Sequence, residues 1–168
     1  MTTQTTSTTQ TPSRRAPVVI ERTYRARATD IWELWTTKTG FESWWGPQGF
    51  RAEVHAIEPR VGGALRYDMI ADSAEMIAAM KQMGRPASHP TNARFTAIRP
   101  NAHLVITNLI DFLPGVETYE TNITVDLIPD GDRIRMVVTL DPMHTAELDK
   151  MQSEGFTSQL TKLDQRFM

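Results

Sequence analysis

A chain of 168 residues, 40% hydrophobic and 23% charged, can bury one sizeable core but has too little apolar surface to build two, and it lies far from the composition of a disordered protein. Its formal net charge of −2 comes from 18 basic and 20 acidic residues scattered through the sequence, so no electrostatic footprint for nucleic acid is expected. The absence of cysteine excludes disulfides, thiolate nucleophiles and zinc-thiolate sites.

No apolar run approaches the roughly 18 residues of a membrane-spanning helix, and the N-terminus lacks the apolar stretch of a secretory signal. No membrane partner is expected, and the cytoplasm is the expected location. Residues 1–16 are almost all Thr, Gln and Ser with Pro12, Arg14 and Arg15 at their end; they read as a disordered tail, with a single domain over 17–168.

From Val18 to Tyr24, β-branched and aromatic residues interleave with charges, the pattern of a strand with one wet face. Thr29 or Asp30 then suits the cap of a helix bearing Ile31, Leu34 and Trp35, and a second short helical turn is predicted from Thr39 to Trp45, stopped by Gly46-Pro47. Phe50 to Ile57 alternates apolar with polar. After Gly62-Gly63 a second alternating run groups Leu65, Tyr67 and Met69, so the two predict a hairpin.

Asp72 to Pro90 interrupts the strands. Asp72 and Glu75 have capping-box spacing, Met76, Met80 and Met83 fall on one helical face, and Gly84 and Pro86 end it, predicting an inserted helix between strands three and four. Strands follow at Ala93 to Ile98, His103 to Asp111, Thr118 to Leu127 and Arg133 to Leu140. Turn signals at Pro100-Asn101, Pro114-Gly115 and Pro129-Asp130-Gly131 separate them, and an up-and-down order of seven strands is predicted.

Leu148, Met151, Phe156, Leu160, Leu163 and Phe167 form the apolar stripe of a long C-terminal helix. The surface available to it is the inner face of the sheet, where Ile123, Val125 and Leu127 alternate in step with Ile134, Met136, Val138 and Leu140. The expected class is α+β, a curved antiparallel sheet around that helix.

The order strand, two short helices, six strands and long helix, with Trp44-Trp45-Gly46-Pro47, Gly62-Gly63, Pro100 and Gly155-Phe156, resembles the START-like (SRPBCC) helix-grip superfamily. Within it, the sequence is most similar to the family of homologues of the activator of the ninety-kilodalton heat-shock protein ATPase. The resemblance implies a cavity between sheet and C-terminal helix. It departs from the family in the added Met-bearing helix and in Phe156, where Trp is usual. The eukaryotic activator carries a second, N-terminal domain for its co-chaperone work, and the Thr-rich tail stands in that place here.

Strand parity aims Leu65, Tyr67, Met69, Asn108, Tyr119, Thr121 and Met136 inward, and the helix adds Met151, Phe156 and Gln159. With Trp45 as a roof, these, Gln159 apart, are the candidate ligand-binding residues. The polar members either orient a ligand carbonyl or hydroxyl, or are satisfied at the sheet rim and by backbone. Trp44 and Trp45 either both pack in the core or divide between core and cavity. The methionine helix is either a mobile lid or a helix docked on the domain or on a second copy of the chain.

His55, His89, His103 and His144 have no metal-binding spacing, and no phosphate-binding glycine loop is present, so no metal or cofactor is expected. The function expected first is non-catalytic binding of a hydrophobic small molecule. A cyclase-, aromatase- or hydrolase-like enzyme on the same fold, recruiting Tyr67, Asn108 and Glu154, is second. A stress-related co-chaperone or protein-interaction role, with a homodimer as one assembly, is third.

Overall fold

Alternation of apolar and polar side chains dominates the chain, and it folds accordingly into seven antiparallel strands with four helices. The structure is a computed structural model and describes residues 15–167. In chain order the elements are β1 (Val18–Tyr24), α1 (Ala28–Thr36), α2 (Lys38–Glu42), β2 (Phe50–Ile57), β3 (Ala64–Ala71), α3 (Ala74–Gln82), β4 (Ser88–Arg99), β5 (His103–Ile110), β6 (Tyr119–Asp130), β7 (Arg133–Leu140) and α4 (Ala146–Phe167).

The sheet order is β1-β7-β6-β5-β4-β3-β2. Strands β2 to β7 are the expected meander, but β1 lies beside β7 rather than β2, with Val18 opposite Leu140 and Tyr24 opposite Ile134. Two helices occupy residues 25–49, so this connection is long enough to carry the chain from one sheet edge to the other. Irregularities at Val54/Ala56 and Phe95/Ala97 add the local twist that curls the sheet.

Several boundaries differ from expectation for local reasons. Strand β4 begins at Ser88 rather than Ala93 and includes Pro90, opposite Asp68 of β3. Pairing of β4 with β5 starts only at Ala93, so Pro90 lies where one side of the strand is unladdered and its missing N–H costs nothing. Helix α1 is capped at Arg27, and Asp30 is its third residue, accepting from the Arg27 backbone N–H at 3.1 Å. Helix α2 ends at Glu42, so Trp44 and Trp45 lie in a turn beyond it and both can face inward.

Helix α3 is capped by Ser73, whose hydroxyl accepts from the Met76 N–H at 3.1 Å, and not by Asp72. None of its residues is fully buried, so its stability rests heavily on that cap. Ser73→Ala is expected to destabilise the helix by about 1 kcal/mol, read as faster amide exchange from Ile77 to Met83 with β3 unchanged.

Two sets of contacts hold α4 in the groove. Its middle and end are fastened to the turn before β2: Gln159 Oε1 accepts from the Gly46 N–H, Ser158 Oγ accepts from the Gln48 N–H, and Lys162 Nζ donates to the Gly46 and Phe50 carbonyls. Gly46 has φ +108, a conformation that favours glycine, and Met69 Sδ lies 3.1 Å from where its Cβ would stand. On the other flank, Tyr24 Oη donates to Asp164 at 2.7 Å and Arg22 pairs with the same carboxylate. Arg15 donates to Asp149 and to the Met143 carbonyl, while residues 1–14 lie outside the described residues.

The helix stripe departs from prediction at one residue. Met151 is 55% exposed, because its step of five to Phe156 breaks helical spacing. The buried positions of α4 are Phe156, Gln159, Leu160 and Leu163.

Candidate functional site

The inner face of the sheet is filled at one end by aromatic side chains. At the filled end, Trp35, Trp44 and Phe41 have no exposed surface, and Trp45 and Phe156 nearly none. Trp35 meets Trp44 and Trp45 edge-on at 5.0 and 5.5 Å between centroids and stacks on Phe156 at 6.2 Å. Its indole N–H points at Met136 Sδ, 3.4 Å away, and that of Trp44 donates to the Leu34 carbonyl at 2.8 Å. Both residues of the Trp pair are therefore core.

Tyr67 closes this aromatic wall. Its hydroxyl accepts the Trp45 indole N–H at 2.9 Å. Burial pushes its phenol above the ordinary tyrosine range, only partly opposed by Trp45 and Thr91, so it is a neutral hydroxyl held by the protein. Burial, and then Asp164, push the Tyr24 phenol up in the same way. Both tyrosines favour the folded state while protonated, whereas the unfolded chain ionises near pH 10. Stability is expected to be fully present below about pH 10 and to fall as pH rises beyond it. Urea melts at pH 8 and pH 11 measure this, and Tyr24→Phe should flatten the dependence.

Toward the other end, register sets Leu65, Ala93, Asn108 and Thr121 in one row across β3, β4, β5 and β6. In the next row Tyr67 faces Thr91, and Ile110 faces Tyr119. The middle of these rows is made of small side chains, Thr91 and Ala93, and cover is thinner: Met69, Asn108 and Tyr119 are half-buried. Tyr119 lies at the rim, its hydroxyl accepting from the His144 N–H at 3.0 Å in the loop before α4.

On the helix, Gly155 is half-buried and lies one turn before Gln159. A Cβ placed on it would have nothing within 4 Å. Among the described residues, Thr121 Oγ1 on β6 and Gln159 Nε2 on α4 are buried without a hydrogen-bond partner. Both residues are 3% exposed.

Of the sequence-derived candidates, Trp45, Leu65, Tyr67, Met136 and Phe156 thus belong to the packed wall, while Met69, Asn108, Tyr119 and Thr121 lie toward the thinner end. Met151 faces solvent. Thr91 was hidden by the late start expected for β4. The methionines of α3 divide: Met76 lies against Gly49, Met80 is half-buried, and Met83 is 58% exposed. His55 and His103 bond Asp68 and Asp126 at 3.0 and 2.7 Å, and His89 meets Phe112 edge-on at 4.8 Å.

A curled antiparallel sheet with a long helix lying along its concave face makes this a helix-grip protein. The family described as activator of Hsp90 ATPase homolog 1-like protein matches residues 25–168, and the chain belongs to it. Solved structures agree. A protein from Chromobacterium violaceum is 16% identical with a TM-score of 0.72, covering 91% of this chain and 98% of its own. The AHSA1 protein from Silicibacter pomeroyi is 18% identical with a TM-score of 0.69, covering 88% and 94%. A protein from Arthrobacter aurescens is 23% identical with a TM-score of 0.68, covering 87% and 82%. At these identities the similarity carries the fold alone. No curated protein matches the chain. No helix among the described residues is long and apolar enough to cross a membrane.

Proposed function

We propose that the chain binds an apolar small molecule between the thinly covered end of the sheet and α4, without transforming it. The observation that carries this reading is the open space at Gly155 together with the buried, unpartnered Thr121 Oγ1 and Gln159 Nε2. A buried polar atom without a partner costs about 1–3 kcal/mol, which a ligand group would offset. Gln159 Nε2 is a donor and the Thr121 hydroxyl either donor or acceptor, so the ligand is mostly apolar with a carbonyl or hydroxyl oxygen near one end.

Non-catalytic binding is favoured over a cyclase- or hydrolase-like reaction by the state of the titratable candidates. Tyr67 is committed to Trp45 and kept neutral, and Glu154 is exposed and pairs with Lys150 at 3.8 Å. Neither is poised as a general acid or base. Native mass spectrometry of the protein purified from its own host tests the reading. An adduct lost on denaturation and recovered by organic extraction is expected; a bare mass in every preparation would count decisively against it.

A further inference from the structure

A second concavity lies where α4 ends, away from the residues proposed to hold the apolar ligand. It is a solvent-open cleft of about 490 Å3 lined by Thr23, Arg25, Arg133, Arg166 and Phe167. Tyr24 and Ile134 are opposite one another in the β1/β7 ladder, so Arg25 and Arg133, each the next residue outward, flank the same end of it. The last turn of α4 supplies Arg166 and Phe167.

The charges in this cleft are not neutralised as their neighbours are. Arg22 pairs with Asp164 and Arg135 with Glu21. Among the described residues, Arg25 and Arg133 meet no carboxylate. Arg166 is oriented by neutral partners, its two terminal nitrogens on Ser43 Oγ and the Ser43 carbonyl at 3.2 and 3.3 Å. Arg25, Arg133 and Arg166 line one concavity in a chain whose net charge is −2, and the concave shape focuses the field of the two that meet no carboxylate.

The chemistry of the walls narrows the anion. Guanidinium forks match the paired oxygens of phosphate, and Arg25 and Arg133 keep theirs free of any partner among the described residues while Arg166, held on Ser43, adds a third positive charge. Phe167, half-buried and tilted against Tyr24 at 5.5 Å, adds an apolar surface beside the charges. We infer that this cleft binds a phosphate monoester carrying an apolar substituent, with Arg25 and Arg133 on the phosphate, the charge of Arg166 beside them and Phe167 against the substituent. This inference is independent of the ligand proposed for the groove.

Phenyl phosphate titrated into the full chain at low salt, followed by calorimetry, tests it. Saturable binding is expected, tighter than that of inorganic phosphate, absent for phenol, and weakened at least tenfold by the double substitution R25Q/R133Q. Both positions are exposed, and unchanged melting of the variant shows that the fold is kept. Vesicles of phosphatidylcholine with and without phosphatidic acid separate the two sources of such a phosphate. Retention that needs phosphatidic acid and both arginines, without binding of phenyl phosphate, assigns a lipid headgroup; binding of phenyl phosphate assigns a soluble ligand. Equal affinity of the double variant, or no saturation with either probe, overturns the inference. Equal affinity for phenyl and inorganic phosphate removes the role given to Phe167.

Discussion

Trp35→Ala is expected to lower folding stability by about 3–5 kcal/mol, a large share of the total available to a domain of this size. The residue has no exposed surface and is the hub of the aromatic wall, touching Trp44, Trp45 and Phe156. Its removal leaves a hole that the surroundings cannot close, because Trp44 and Trp45 are themselves anchored through Leu34 and Tyr67. It also removes the stacked partner of Phe156, leaving that α4 ring only its edge contacts to Trp44 and Trp45. Urea unfolding at neutral pH measures the effect. A loss below about 1 kcal/mol would mean that the wall repacks freely and is not a rigid floor for the groove.

Two substitutions of Gly155 are expected to move ligand load and stability apart. Alanine adds a methyl to space that is open and removes a glycine from a helix interior, so Gly155→Ala should stabilise by up to about 1 kcal/mol and leave ligand binding intact. Gly155→Phe puts a ring into the same space. The new Cβ itself meets no atom within 4 Å, a thermal melt checks that the fold accommodates the ring, and ligand recovered from host-purified protein should fall at least tenfold. Thermal melts and native mass spectra of the two variants make the comparison. If the phenylalanine variant carries as much ligand as the parent, the groove is not the binding site.

The architecture was largely legible because most strands have one wet face, and period-two alternation marks such strands directly. The bounds read for β1, β2 and β7 coincide with those observed. Where the reading failed, a tertiary partner decided. Pro90 reads locally as a terminator, yet it belongs to β4 because β5 does not reach it. The neighbour of β1 depends on where two helices take the chain, and no local pattern records that. Both tryptophans enter the core because α2 stops at Glu42.

The candidate sites were less legible, for a related reason. Parity aims Tyr67 and Thr121 inward correctly, but it does not tell which finds a partner: Tyr67 meets Trp45, whereas Thr121 Oγ1 meets none among the described residues. Tyr119 is satisfied by a backbone N–H of a loop that has no periodicity to read. Arg25, Arg133 and Arg166 have no meaningful spacing in sequence and converge only because β1 pairs with β7 while α4 ends beside them.

The pairing of β1 with β7 also orders events in time. As the chain emerges from the ribosome, β2 to β7 can zip up as successive antiparallel pairs, each over a local connection, the longest of which carries α3. Strand β1 and the tryptophans of the helices that follow it are made first, yet their partners, Leu140 to Ile134 and Phe156, are made last. Strand β1 and the face of Trp35 that meets Phe156 therefore wait, exposed to solvent, until β7 and α4 have been made. Nascent chains halted before α4 are expected to show solvent-quenched tryptophan emission, and release of the finished chain should shift it to the blue.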